Sequence, residues 1–145
     1  MKSLTTKLLL AAALLVIAVL MHAQSRKPVT ITRLYTGPDG ETHTEQAEMQ
    51  FTGGSATNQT TQTVKATGTE LHRSPPGDVQ PFHTAPRRQY VVTLSGRGEI
   101  ETSDGHKVQL GPGQVLLVED TTGKGHITRA LAGEDRVTLQ IPLAN

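Results

Sequence analysis

After its first two dozen residues, the sequence predicts an all-β protein, a sandwich or barrel of short strands. From Arg88 onward, stretches of four to eight residues with strand-like character are separated by turns that contain glycine or proline. Many short strands at such regular spacing are typical of sandwiches and barrels. The same part of the chain shows no apolar spacing of the kind that predicts an amphipathic helix.

Eight strands are predicted. They are Thr30–Tyr35, Val64–His72, Arg88–Ser95, Glu99–Thr102, Lys107–Leu110, Gln114–Val118, Ile127–Leu131 and Arg136–Ile141. The polar segment Gly53–Gln62 has too little apolar content to pack and is predicted to be a surface loop.

The predicted strands differ in how many faces they bury. In Arg136–Ile141, apolar and polar residues alternate, as expected of a strand with one wet face. Tyr90–Val92 and Val115–Val118 are apolar on both faces, and such strands need cover on each side. That cover could come from a second sheet or from a second subunit, so we expect a homodimer.

Residues 1–23 have the pattern of a secretory signal peptide. Lys2 and Lys7 precede an unbroken apolar run from Leu8 to Met21, and small Ala23 follows. The run is short for a transmembrane helix, which needs about 20 apolar residues, although an uncleaved anchor remains an alternative. We therefore expect export to the periplasm or the exterior, no membrane attachment after cleavage, and one mature domain over residues 24–145.

Composition excludes several classes of site. The chain has no cysteine, which rules out disulfides, thiolate ligands and a thiol nucleophile. Of the 14 Lys and Arg residues, Lys2 and Lys7 lie in the signal segment, which leaves 12 against 13 Asp and Glu. Without a basic run, nucleic-acid binding has no electrostatic support.

Two segments carry motifs that point to a family. His83 is followed by Gln89 and then by Gly96, and a Gly-Pro-Gly turn at 111–113 precedes the Gly-x-x-His sequence that ends at His126. These segments resemble the two motifs of the cupins, over about residues 81–141. The resemblance implies a double-stranded β-helix, the cupin jelly roll, like that of small single-domain RmlC-like proteins.

The resemblance also implies a candidate metal site. In metal-binding cupins, three histidines and one glutamate at these positions hold a divalent transition metal ion, and imidazole and carboxylate suit such ions. Here Ala85 replaces the second histidine and Gln89 replaces the glutamate. The remaining candidate ligands are His83, Gln89 and His126, a reduced set whose neutral amide is a weak ligand.

A metal-free interpretation uses the same residues. Histidine is the side chain whose ordinary pKa lies nearest neutrality, so His83 and His126 could act as base and acid, with Gln89 as a hydrogen-bond donor. If the chain from His83 to Gln89 is one regular strand, alternate residues share a face, and Arg87 or Arg88 could clamp an anionic oxygen. A guanidinium in the cluster would disfavour a divalent cation.

Three functions stay open, and whether the protein is an enzyme stays open with them. The first is metal-free acid/base chemistry of isomerase or lyase type on a small polar organic molecule. The second is a metal-dependent oxygenase or lyase, and the third is a non-catalytic small-molecule binder.

Several other polar residues are assigned by position. Glu119 and Asp120 precede the His126 loop and are expected to cap a turn or to pair with Arg87 or Arg88. His43 and His106 lie outside the motifs, whereas His72 could enter the mouth of the barrel.

Overall fold

The computed structural model describes residues 27–144, which form twelve β-strands. The predicted signal segment, residues 1–23, lies outside the described residues. The strands are β1 (Thr30–Thr36), β2 (Thr42–Glu48), β3 (Gly53–Gly54), β4 (Gln59–Thr60), β5 (Glu70–Ser74), β6 (Val79–His83), β7 (Gln89–Ser95), β8 (Gly98–Thr102), β9 (Lys107–Leu110), β10 (Val115–Glu119), β11 (His126–Ala130) and β12 (Arg136–Pro142). Within this range, no helix has the length and hydropathy that crossing a bilayer requires.

Two sheets carry the fold. The larger has the strand order β2-β1-β10-β7-β12-β5, and the smaller has the order β6-β11-β8-β9. In the larger sheet β1 runs parallel to β10, and the other neighbours are antiparallel. The predicted all-β jelly-roll fold is confirmed.

The hydrophobic core takes residues from both sheets. Leu34, Leu116 and Val118 come from the larger sheet, and Ile100 and Leu110 come from the smaller one. Leu34 is fully buried and Ile100 and Leu110 are each only 2% exposed. The apolar contact that holds the molecule together is therefore made between the sheets, as in a closed two-layer fold.

Seven of the eight predicted strands appear with ends shifted by no more than one residue. The prediction of a strand over Val64–His72 is wrong in position, because β5 covers Glu70–Ser74. The predicted loop Gly53–Gln62 contains the two-residue strands β3 and β4, which form an exposed hairpin.

Besides β3 and β4, two strands were not predicted, and each of these two lies at a sheet edge. β2 has a largely polar sequence and pairs with β1 along its whole length. β6 contains Pro81 and pairs only with β11. An edge strand leaves one row of backbone groups to solvent, so it tolerates proline and does not need an alternating apolar pattern.

The alternation in β12 has its polar face inward. Arg136 and Thr138 are buried, whereas Val137, Leu139 and Ile141 are only half-buried. The expectation that the polar face meets bulk water is wrong, because that face lines a cavity between the sheets.

Candidate functional site

A cavity of about 210 Å3 lies between the two sheets. This is below the roughly 300–1,000 Å3 of sites for drug-sized ligands, so the cavity suits a small molecule. Its polar lining comes from β5, β6, β7, β11 and β12. These residues are His72, Ser74, Gln80, His83, Gln89, His126, Thr128, Arg136, Thr138 and Gln140.

The two motif histidines meet in this cavity. His83 ends β6 and His126 begins β11, and the two are direct partners in the antiparallel ladder. Their ring centroids are 4.5 Å apart. The close approach depends on Gly125, since a Cβ there would lie 2.1 Å from the backbone oxygen of His83.

Hydrogen bonds fix the tautomers of both rings. His126 Nδ1 lies 2.6 Å from a carboxylate oxygen of Asp120, and His83 Nδ1 lies 2.8 Å from the carbonyl oxygen of Pro81. A carboxylate or a carbonyl only accepts hydrogen bonds, so each Nδ1 carries the hydrogen. In the neutral rings both Nε2 atoms are therefore basic and free for a ligand.

Asp120 is a buried partner of His126. It is fully buried, and the Thr42 hydroxyl, also fully buried, donates a second hydrogen bond of 3.4 Å to the same oxygen. The expectation that Asp120 caps a turn or pairs with Arg87 or Arg88 is wrong. A buried carboxylate against Nδ1–H orients an imidazole and stabilises its protonated form.

Two further cavity residues have buried atoms without partners among residues 27–144. Gln89 is 6% exposed and its Oε1 atom has no hydrogen bond; Arg136 is 8% exposed and its Nε atom has none. Burial lowers the pKa of the Arg136 guanidinium. Because buried polar groups are nearly always hydrogen-bonded, these two atoms mark a place prepared for a ligand.

Gly98 makes room for Arg136. A Cβ at Gly98 would lie 2.5 Å from Nε and 2.9 Å from Cζ of Arg136. The guanidinium thus lies against the bare backbone of β8.

Arg87 and Arg88 do not join the cavity lining. β6 ends at His83 and β7 begins at Gln89, so the expectation of one regular strand from His83 to Gln89 is wrong. Both arginines are exposed in the connection; Arg87 pairs with Glu70, and Arg88 donates from Nε to Glu119 at 2.8 Å.

Glu119 forms an ion-pair centre on the outer surface. Arg33 Nε donates to it at 2.6 Å from β1, and Arg88 donates from the connection before β7. Burial alone would raise the pKa of Glu119, but Arg33 and Arg88 outweigh that effect and hold the pKa below its usual range. The predicted pairing of Glu119 with Arg88 is therefore present.

His72 lies at the mouth of the cavity, where the sequence predicted that it could enter. Its ring is exposed and contacts the Glu70 carboxylate at 3.1 Å and the Gln140 amide at 3.1 Å. Arg136 was not singled out from the sequence, because the alternation in its strand separates a polar face from an apolar one without showing which of them points inward.

The donor set does not fit a tightly bound divalent metal ion. His83 and His126 offer two imidazole nitrogens and Gln89 a neutral oxygen, while Ala85 contributes nothing. No group of three His, Cys, Asp or Glu side chains within residues 27–144 is arranged to hold a metal ion. Arg136 lines the same cavity, and its positive charge repels a cation.

Comparison with solved structures finds similar chains in several bacteria. A cupin superfamily protein from Desulfitobacterium hafniense is 25% identical over 53% of this chain and 66% of its own, with a TM-score of 0.43. A cupin domain from Bordetella pertussis is 17% identical over 84% of this chain and all of its own, with a TM-score of 0.44. An RmlC-like cupin protein from Desulfovibrio desulfuricans is 14% identical over 82% of this chain and 90% of its own, with a TM-score of 0.41.

Comparison with curated protein sequences gives no match. The family model described as a cupin domain matches residues 70–139. That range runs from β5 to the middle of β12 and includes His83, Gln89, His126 and Arg136. All the residues that line the cavity except Gln140 lie in the matched range, and this part of the chain is a cupin domain.

Proposed function

We propose that the cavity binds a small polar organic molecule and that His126 and His83 move protons on it, in a reaction of isomerase or lyase type. One observation carries the proposal: two imidazoles lie with ring centroids 4.5 Å apart, and a buried carboxylate supports one of them. Paired acid and base groups on one face of a small cavity suit proton abstraction next to an electron-withdrawing group.

The support differs between the two histidines, which suggests their roles. His126 is the general base, because Asp120 stabilises the imidazolium that forms when Nε2 takes a proton. His83 donates only to a backbone carbonyl and serves, in its protonated form, as the general acid. Gln89 can donate an amide hydrogen bond to an oxygen that gains negative charge.

The proton balance closes for an isomerisation. His126 takes a proton from a carbon, and the C–H electron pair stays on the ligand as an enolate. Protonated His83 delivers a proton to a different atom, and solvent exchange resets both rings. No oxidant or reductant is needed.

Deuterium exchange tests the proposal on a range of candidate substrates at once. The purified protein is incubated in D2O with small hydroxy acids, keto acids and sugars, and mass spectrometry detects a gain in mass at carbon or a new isomer. We expect exchange with wild type and an approximately 10²- to 10⁴-fold loss in His126→Asn. His106→Asn is the control, since His106 is exposed in the turn between β8 and β9.

If wild type and His126→Asn behave alike for every compound, the acid/base proposal is wrong and a non-catalytic binder becomes the better description. Elemental analysis of protein purified without chelator tests the metal-dependent alternative. Near-stoichiometric transition metal that is lost in His126→Ala would establish that alternative over the metal-free mechanism.

Export and dimerisation complete the proposal. The signal pattern of residues 1–23 supports export, and mass spectrometry of the N-terminus of the exported protein tests it; a product that begins near Gln24 is expected.

Exposed apolar side chains support a dimer, such as Leu71 at 70% and Phe82 at 53% exposure. Light scattering at micromolar concentration that gives a monomer mass would contradict the dimer.

A further inference from the structure

We infer that Arg136 is the anion-binding residue of the cavity and that the ligand is a small organic carboxylate. The inference rests on the proposed function, because it names the substrate class for the same cavity. It goes further in assigning the ligand's charge and the residue that binds it.

The first observation is the missing counter-charge. Arg136 is only 8% exposed, its Nε atom has no partner, and no carboxylate of residues 27–144 pairs with it. An isolated buried charge is costly, and proteins otherwise pair it or bind a counter-ion. An anionic ligand would supply the missing partner.

The second observation is that the surrounding structure accommodates this side chain. Arg136 is on the inward face of β12 together with Thr138 and Gln140, and all three line the cavity. Gly98 on the facing sheet leaves the space that Nε and Cζ occupy. Arg136 thus lines the same cavity as His83 and His126.

The charge and shape of the site favour a carboxylate. The planar guanidinium presents parallel N–H groups that match two coplanar oxygens. One guanidinium balances one negative charge, so a carboxylate monoanion is neutralised where a phosphate dianion is not. A carboxylate held beside a general base also fits proton abstraction, because the adjacent guanidinium stabilises added negative charge.

NMR titration tests the inference directly. Lactate is added to 15N-labelled protein, and the Nε–H resonance of Arg136 is followed together with backbone amides of the cavity. We expect saturable shifts with lactate, none with its neutral analogue lactamide, and at most weak competition by inorganic phosphate. Equal responses to lactate and lactamide, or no response to lactate, acetate or pyruvate, would overturn the inference.

Variants separate a binding role from a structural one. Arg136→Met should weaken lactate binding about 10- to 100-fold, the loss expected for one charge-assisted contact. It should also leave the ligand-free protein melting at an equal or higher temperature, since an unpaired buried charge is removed; a structural role predicts a lower melting temperature. Arg97→Met is the matched control, because Arg97 is exposed in the turn before β8.

Gly98→Ala gives a second, independent variant. Its Cβ must displace the Arg136 side chain without changing any charge, so lactate binding should weaken. The backbone amide resonance of Arg136 should stay in place, which would show that β12 is intact. Unchanged binding in both Arg136→Met and Gly98→Ala would overturn the inference. If Arg136→Met does not fold, two measurements still test the inference. They are the shift of the Arg136 Nε–H resonance in wild type when lactate is added, and the lactate affinity of Gly98→Ala.

The inference and the proposed function can fail separately. Lactate binding that depends on Arg136, without deuterium exchange on any compound, would refute the acid/base function alone. Exchange with an unchanged KM in Arg136→Met would refute the inference alone.

Discussion

Arg88 on the outer surface and Arg136 in the cavity carry the same charge in opposite surroundings. Arg88 is exposed and shares the Glu119 carboxylate with Arg33, whereas Arg136 is buried and has no carboxylate partner among the described residues. Water could have solvated the first charge but cannot reach most of the second. Ion pairs therefore appear where they join strands at the surface, and the unpaired charge appears where a ligand would sit.

The largest effect is expected at Asp120, the buried carboxylate that supports His126. Asp120→Ala removes the acceptor of His126 Nδ1–H and leaves a buried donor unsatisfied, which should lower the free energy of unfolding by about 1–3 kcal/mol. Urea denaturation measures this, and deuterium exchange should be lost as well. Asp120→Asn keeps an acceptor oxygen and should lose less stability; equal stability of wild type and Asp120→Ala would contradict the contact.

A smaller effect is expected at the surface ion-pair centre. Glu119→Gln removes the charge that Arg33 and Arg88 contact, and because solvent screens these half-exposed partners, the loss should be about 1 kcal/mol. The pKa of Glu119 is lowered, so its contribution is present above about pH 4.5 and lost as the pH falls through the lowered pKa. Melting curves of both proteins should converge in acid; a gap that widens in acid would contradict the pairing.

The opposite pH dependence is expected at His43. Asp39 and Asp104 raise its pKa from the two adjacent turns, and the Tyr35 ring lies 5.9 Å away. Because the pKa of His43 is raised in the folded protein, protonated His43 stabilises the fold. This stabilisation is fully present below about pH 6.5 and is lost as the pH rises through the raised pKa. His43→Gln should thus lower the melting temperature slightly at about pH 5.5 and not at about pH 9, and a difference only at high pH would refute this.

The smallest effect is expected at Arg87. Its partner Glu70 is exposed at the edge strand β5, and exposed pairs contribute little. Arg87→Met should leave the melting temperature and lactate binding unchanged within error. Weaker lactate binding in Arg87→Met would show that a surface arginine also contributes to ligand binding, and would contradict the assignment of that role to Arg136 alone.

The sequence predicted the fold well because its signals are local. Turns that contain glycine or proline bound the strands from β7 onward, and the spacing from His83 to Gln89 and His126 identified two facing histidines. β2 and β6 were missed because edge strands lack the apolar alternation on which such predictions depend.

Arg136 and Asp120 could not be found in the same way. Alternation in β12 separates two faces but does not say which one points inward, and a polar inward face is typical only where a cavity exists. Asp120 reaches His126 through a loop whose path depends on Gly123 and Gly125, each with a positive φ. Arg87 and Arg88 were wrongly expected to reach the site. A turn at Pro86 interrupts the strand that was expected to point one of them inward.

Gly125 gives the site a property that matters for redesign. Because a backbone-to-backbone approach sets the distance between the histidine strands, changes to the apolar core or to Arg136 should leave that distance intact. The cavity could then be given new binding residues while its pair of imidazoles keeps its geometry. The histidine pair can thus be kept unchanged in a redesign, while the cavity residues of β12 (Arg136, Thr138 and Gln140) are substituted.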